Sequence, residues 1–445
     1  MAENCLDACD PRDAPTAEAL EGNYFVSAYP PFSCWSPAAD QAYRQILASA
    51  LEPPPPLGLY VHVPFCAQRC DYCYYRTYAG RPHQDKDAYV AAVLAEADLY
   101  RQQPSLAGRQ VEFVYFGGGT PSLLTDLQIE RLLGGLQPRL PWSKGAEVTF
   151  ECAPKTVTRA KVQLLRQLGV TRLSLGVQPF DDAVLAANGR IHLVADVKRA
   201  YELVREAEFP VVNLDLIVGL VGETDRTFYR SVERCAELAA DCVTIYPLEV
   251  PHNSTLFHRL QEHSVPLPPG WAIKRRRLRA AFAWLERSGY TLRSAYAAVR
   301  NPDRARFVYQ DAQYRGADLL GLGVASFSYL SGCHFQNLGR LERYLECLAQ
   351  RQLPFQRGYL LNVQEQMVRE FVLQLKLGRV ERGHFQAKFG VDVAARFGAA
   401  LAPLRAAGWI ATDDDAIRLT REGLLRVDRL LPGLYLPEHQ GAPAA

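Results

Sequence analysis

The sequence predicts an α/β fold: six strand–helix units forming an open, partial (β/α)6 barrel, followed by a small helical, winged-helix-like domain. Three observations predict it. LGLYVHVPF (57–65), VEFVYFGGG (111–119), AEVTFECAP (146–154), TRLSLGVQPF (171–180), VVNLDLIVGL (211–220) and CVTIYPLEV (242–250) are short runs rich in β-branched and aromatic residues. Segments of helical period separate them, DAYVAAVLAEADLYRQ (87–102) and ADVKRAYELVREAE (195–208) being the clearest. From about residue 365 the pattern turns helical, and AGWIATDDDAIRLTREGLLRVDRLL (407–431) reads as a helix–β-hairpin–helix unit. Strands that alternate with helices imply parallel pairing through right-handed crossovers. Periodicity alone does not separate a partial barrel from a flat doubly wound sheet; six successive units favour the barrel.

In chain order, residues 1 to about 20 are polar, alanine-rich and acidic, and read as a frayed end. YFVSAYPPFSCW (24–35) then supplies aromatics and prolines, AADQAYRQILASAL (38–51) reads as a helix, and EPPPP (52–56) is a stiff linker. The expected division is an N-terminal arm and linker over 1–56, the barrel over 57–340 and a C-terminal helical domain over 341–445. A chain of 445 residues exceeds the roughly 250–300 at which a single core stops growing, so a large and a small domain are expected. The formal net charge is only +2, so no basic excess points to a nucleic acid or a membrane surface. In the C-terminal unit, EQMVREFVLQLKLG and TREGLLRVDRLL carry both charge signs, which reads as a lid or substrate-facing domain, not a DNA-binding stripe. No apolar run is long enough to span a bilayer and no basic-then-apolar leader is seen, so a cytoplasmic location is expected.

Eleven cysteines in so long a chain are not a disulfide framework; in a reducing compartment a tight cluster binds metal or does redox chemistry. Cys66, Cys70 and Cys73 form such a cluster, C-x3-C-x2-C, just after the first strand. A structural zinc site has four ligands, often from two paired knuckles, and no second knuckle exists. Cys152, Cys235, Cys242, Cys333 and Cys347 are scattered singly. His62 is a poor fourth ligand, because strand alternation sends successive side chains to opposite faces. Three thiolates without a fourth suit a four-iron, four-sulfur (4Fe-4S) cluster with one iron open to a chelating small molecule; zinc or incidental thiols are the alternative.

Placed after the first strand of a β/α barrel, this motif resembles the radical S-adenosylmethionine (SAM) superfamily. YVHVPFC, FGGGTPS, LSLGVQPF, NLDLIVGL and GADLLGLGVASFS are similar, in the same order, to signatures of the oxygen-independent coproporphyrinogen III oxidase-like (HemN/HemW-like) group. The tail over 365–430 resembles that group's C-terminal domain, and NYFVSAYPPF the arm of its true oxidases. The resemblance implies a cluster on Cys66, Cys70 and Cys73 whose open iron binds SAM. An electron then splits the sulfonium to give a 5′-deoxyadenosyl radical that abstracts hydrogen, the cofactors carrying the hard chemistry. It further implies SAM contacts from Tyr60, Tyr72, Gly118, Gly119, Thr120, Glu151, Gln178, Arg190 and Asp215, for one SAM molecule or two. Tyr60 and Glu151 are its catalytic candidates. Glu151, Gln178 and Asp215 are read as ending the third, fourth and fifth strands, where barrel chemistry gathers. An electron donor such as flavodoxin or ferredoxin is implied as a partner.

Three functions share this scaffold: oxidative decarboxylation of coproporphyrinogen III, haem chaperoning, and radical methylation or cyclopropanation with two SAM molecules. The arm argues against a chaperone. Tyr75 stands where the oxidases carry a further cysteine, which argues against a strict oxidase. Arg69, Arg76 and Arg81 on or near the cysteine loop suit a porphyrinogen's carboxylates, and His334 is a candidate haem ligand that reads more simply as a structural residue.

Overall fold

The structure, a computed structural model, describes residues 28–50 and 52–440. The acidic segment 1–20 and the first part of NYFVSAYPPF lie outside the described residues. Six strands follow the expected rhythm: β1 (Leu57–Val63), β2 (Val111–Gly118), β3 (Trp142–Cys152), β4 (Arg172–Gln178), β5 (Val211–Val218) and β6 (Cys242–Pro247). They pair in parallel and in sequence order. Five of them are buried along most of their length, and β3 mainly over its second half, which explains the near-continuous apolar runs: helices cover the outer face while the inner face surrounds the barrel interior. The helices His83–Arg101, Asp126–Leu136, Arg159–Gln167, Val194–Glu206 and Asp225–Glu237 supply the crossovers. Thr125, Thr158 and Thr224 each cap one of them by accepting a hydrogen bond from the backbone amide three residues on.

The sheet does not stop at six strands. Beyond β6 comes antiparallel β7 (Ala297–Val299) and the two-residue strand Thr291–Leu292. On the free edge of β1 a seventh parallel strand, β8 (Asp318–Leu322), pairs from Leu57 to Val61. It is followed by antiparallel β9 (Phe327–Leu330), β10 (Cys333–Asn337) and β11 (Phe355–Leu360). The helix Val308–Tyr314 crosses the interior, where Tyr309 stacks near Tyr60 and Tyr115 at centroid distances of 6.5 and 4.7 Å.

The described part of the arm docks on the β11 edge. Ser36 and Gly358 exchange two backbone hydrogen bonds of 2.9 Å, and Tyr43 stacks on Phe355 at 4.8 Å. At the C-terminal end, helix Val363–Leu375 begins at a reciprocal Asn362–Glu365 cap and packs on a three-stranded sheet of Arg379–Glu381, Ala416–Leu419 and Ile410–Thr412. The hairpin and the helix Arg421–Leu424 after it fall within the stretch read as helix–hairpin–helix, whereas the helix before the hairpin, Gly398–Ala406, lies just ahead of that stretch. Among the described residues no helix is long and apolar enough to cross a membrane.

Candidate active site

The cysteine loop lies over the C-terminal ends of the strands because two glycines let the chain come close. The Gly119 amide donates to the Val63 carbonyl and the Thr120 amide to the Phe65 carbonyl, both at 2.8 Å. A Cβ on Gly119 would stand 2.8 Å from that Phe65 oxygen, so no other residue fits without moving backbone. Gly118 has φ +109° and faces the His62 ring, so it too must lack a side chain.

All three thiols are free and half-buried. Thr120 Oγ1 approaches Cys66 Sγ at 3.6 Å and Arg190 Nη1 donates to Cys70 Sγ at 3.2 Å. Burial pushes the Cys66 thiol up to about 11 and raises Cys73 as well. Thiols in such surroundings ionise only when a cation replaces the lost water, which metal coordination supplies. Among the described residues no three His, Cys, Asp or Glu side chains converge on a single metal ion; ligands of a cluster attach to separate iron atoms and need not meet at one point.

Arg190 is the hinge of the arrangement. Besides Cys70 it donates from Nη2 to the Gly176 carbonyl at 2.9 Å. A Cβ on Gly176 would lie 3.2 Å from Gln178 Nε2 and 3.6 Å from Arg190 Nη2, which puts these side chains together over the end of β4. Gln178 takes a left-handed φ of +72°, a strained conformation of the kind that gathers at functional sites. Its Oε1, the Tyr72 hydroxyl and Arg190 Nε are all buried without a hydrogen-bond partner. Buried polar atoms seldom stay unpaired, and several in one place are what a polar ligand would complete.

Glu151 accepts from the Tyr115 hydroxyl at 2.6 Å and the Gly118 amide at 3.2 Å. Burial lifts its carboxyl to about 7, against the pull of Tyr115, with the nearby Asp215 charge adding to the rise. Asp215 accepts from Ser174 Oγ at 2.7 Å and Asn213 Nδ2 at 2.8 Å, and Thr244 in turn donates to Asn213 Oδ1 at 2.8 Å. β5 runs on to Val218, so Asp215 lies within its strand and not at its end as the pattern suggested. The Tyr60 hydroxyl meets His62 Nδ1 at 3.1 Å, and His62 Nε2 meets the Arg76 carbonyl at 3.1 Å. With both ring nitrogens engaged and burial holding its pKa down at about 4, His62 is no free ligand.

Four further candidates resolve differently. Arg69 donates to the Cys73 carbonyl at 2.8 Å, so it braces the loop. Arg81 pairs with Asp85 and Glu342, while Arg76 is exposed. His334 is buried, meets the Tyr29 carbonyl at 3.1 Å and stacks on Trp35 at 4.8 Å, the structural role that was the simpler reading. The motifs missed Tyr115 and the Ser174–Asn213–Thr244 network. Alternation carried the signal: Tyr115 shares an inward face with Phe113, and Asn213 with Asp215.

With this geometry in hand, comparison with known proteins decides the family. A model of the radical SAM superfamily matches residues 60–235, and one of the HemN C-terminal domain matches 361–426. The Heme chaperone HemW of Mycobacterium tuberculosis (strain H37Rv) is 30% identical over 402 residues, spanning 88% of this chain and 98% of that protein. The chain belongs to the radical SAM superfamily, in its HemN/HemW-like group. The oxygen-independent coproporphyrinogen III oxidase of Escherichia coli (strain K12) is 28% identical over 410 residues, 87% of each chain. The solved structure of coproporphyrinogen III oxidase (HemN) from Escherichia coli, described as a radical SAM enzyme, superposes with a TM-score of 0.81 at 28% identity, covering 92% of this chain and 96% of that one. The α/β architecture of this radical SAM chain is thus that of HemN.

Proposed function

We propose that this chain is an enzyme that holds a 4Fe-4S cluster on Cys66, Cys70 and Cys73 and uses it to cleave SAM, starting radical chemistry on a small molecule. The observation that carries this reading is the group of unpartnered buried atoms on Tyr72, Gln178 and Arg190 beside the three thiols. When bound and reduced, the cluster supplies the electron that splits the sulfonium of SAM. The protein's own residues do the rest. Arg190 places a fixed positive charge 3.2 Å from Cys70 Sγ and so holds that side of the loop in position. Gly118, Gly119 and Thr120 offer a close-approach backbone edge for the amino acid part of SAM, and Asp215 and Glu151 offer acceptors for hydroxyl or ammonium hydrogens. Tyr60 and Glu151 stand further inside, where a second SAM or the substrate would meet them. A carboxyl at about 7 is poised to take or hold a proton near neutral pH.

The reaction is either oxidative decarboxylation of a porphyrinogen or methylation or cyclopropanation of another substrate. Tyr75 favours the second. It is 49% exposed and stacked on Tyr74 at 4.6 Å, so a phenol occupies the mouth where the strict oxidases are expected to carry a thiol. A flavodoxin- or ferredoxin-like protein would supply electrons. The second reading is a haem chaperone, favoured by the similarity to HemW over 98% of that protein's length. One experiment separates them. Anaerobically reconstituted protein, reduced with dithionite and given SAM, is expected to release 5′-deoxyadenosine, and changing Cys66, Cys70 and Cys73 together to Ala is expected to abolish both that release and the visible cluster absorption. Stoichiometric haem binding with transfer to an apo-acceptor, and SAM cleavage near zero, would move the assignment to the chaperone.

A further inference from the structure

A cavity of about 60 Å³ runs along the inward face of β6, past Cys242, Thr244 and Tyr246, and is walled opposite by the Arg293–Val299 segment and by Phe307–Asp311. Arg172, the first residue of β4, lines it and is only 3% exposed. Its guanidinium lies over the Phe307 ring at 4.5 Å, gives a hydrogen bond of 3.2 Å to the Arg306 carbonyl and meets the Cys242 side chain. Glu147, Asp311 and Asp215 all feel its charge. Each has other partners: Glu147 takes the Tyr309 amide, Asp311 lies 3.8 Å from Arg293, and Asp215 takes Ser174 and Asn213. Among the described residues none of the three forms an ion pair with Arg172. Beside it in register, Thr149 Oγ1 is buried without any partner.

A buried guanidinium has five donors to satisfy and a large desolvation cost, and a carboxylate meets both through two parallel hydrogen bonds. The cavity has room for about four waters, by the usual minimum of 10–15 Å³ for each. That suits a short aliphatic acid arm of four or five heavy atoms and excludes a ring system. At the other end, Tyr246 is 40% exposed, stacks on Tyr296 at 5.7 Å and feels the charges of Asp215 and Glu151, so the cavity adjoins the candidate active site.

We propose that this cavity is a carboxylate subsite of the active site, in which Arg172 grips the acid end of a short aliphatic arm on the substrate. The proposal rests on the reading of the barrel mouth as the reaction site, and it narrows the substrate to an acid. Two probes test it: coproporphyrin III, a stable tetracarboxylate whose binding is read by fluorescence, with its tetramethyl ester as neutral control; and propionate against propionamide, read by saturation-transfer NMR. Arg172→Gln is expected to weaken binding of the acids about tenfold to a hundredfold, the usual worth of hydrogen bonds to a charged group, and to leave the neutral analogues unaffected. Arg172→Lys is expected to recover part of the loss. Ala297→Leu keeps Arg172 but fills the cavity, and should exclude the acid arm even if Arg172→Gln fails to fold. Propionate bound in an Arg172-dependent way, with coproporphyrin III ignored, would keep the subsite and remove the porphyrinogen from consideration. If neither acid responds to Arg172→Gln or to Ala297→Leu, the subsite is wrong, whatever the yield of 5′-deoxyadenosine.

Discussion

Glu96 and Glu151 are two carboxyls lifted by burial to about 7, and they differ in how completely they are enclosed, Glu151 being only half-buried. Glu96, on helix His83–Arg101, is fully buried behind the sheet. Its Oε1 accepts from Asn337 Nδ2 at 2.6 Å, and its Oε2 from the Gly323 amide at 2.8 Å and the Tyr344 hydroxyl at 2.6 Å. Those donors come from the turn after β8, from β10 and from helix Leu341–Ala349, so one carboxylate ties four segments together. Glu151 has two donors, and its surroundings carry unpaired atoms on Tyr72, Gln178 and Arg190. The same shift therefore marks a structural tie in one place and a site in the other. Unfilled hydrogen-bonding capacity separates them, and pKa does not.

The largest expected effect breaks the comparison if it is wrong. Glu96→Ala strands three buried donors, each costing roughly 1–3 kcal/mol, so chemical unfolding should show a loss of about 3–5 kcal/mol. Glu151→Ala opens onto the mouth, where water can replace the carboxylate, and should lower stability by no more than about 1 kcal/mol while weakening SAM binding. Equal losses of stability in the two variants would erase the distinction.

A smaller effect sharpens it. Asp215→Ala removes an acceptor held in place by Ser174 and Asn213, and calorimetry should find SAM affinity reduced about tenfold to a hundredfold, with cluster absorption retained. Asn213→Ala leaves the carboxylate but frees its orientation, and its effect should be the lesser one. Unchanged affinity in both would mean that Asp215 does not touch SAM.

Much of this was legible in the sequence, and the limit was sequence separation. β1 to β6 were readable because each is a local run with local helices between, and the cysteine loop because its three ligands sit within eight residues. β8 was read as a motif and not as a strand. GADLLGLG shows no alternation, and its place beside β1 depends on pairing Leu57 with Asp318, some 260 residues apart, which no local pattern encodes. Arg190 was identified by resemblance alone, because it stands on neither strand nor helix and meets Cys70 only through the fold. Glu96 was invisible for the same reason: inside DAYVAAVLAEADLYRQ it reads as one more charged position, and its three donors lie more than 220 residues away.

The subtlest prediction separates the two carboxyls by pH. A carboxyl whose folded pKa is raised binds more protons folded than unfolded between its two pKa values. Stability is then greatest below the unfolded value near 4.5, and falls as pH rises towards the folded value near 7. Glu223 and Asp318 are raised by burial as well, so the wild-type melting temperature should drift down across that window for several reasons at once. Glu96→Gln keeps the shape and cannot ionise. It should show a shallower drift than wild type between pH 5 and 8, approaching wild-type stability at the acid end and matching or exceeding it at the alkaline end. Glu151→Gln should flatten the drift to a similar degree, because its folded carboxyl is raised as far, but unlike Glu96→Gln it should also move the pH dependence of SAM binding. Parallel melting curves for wild type and Glu96→Gln would show that Glu96 is ionised throughout, its three donors outweighing its burial, and that its resemblance to Glu151 ends at the side chain.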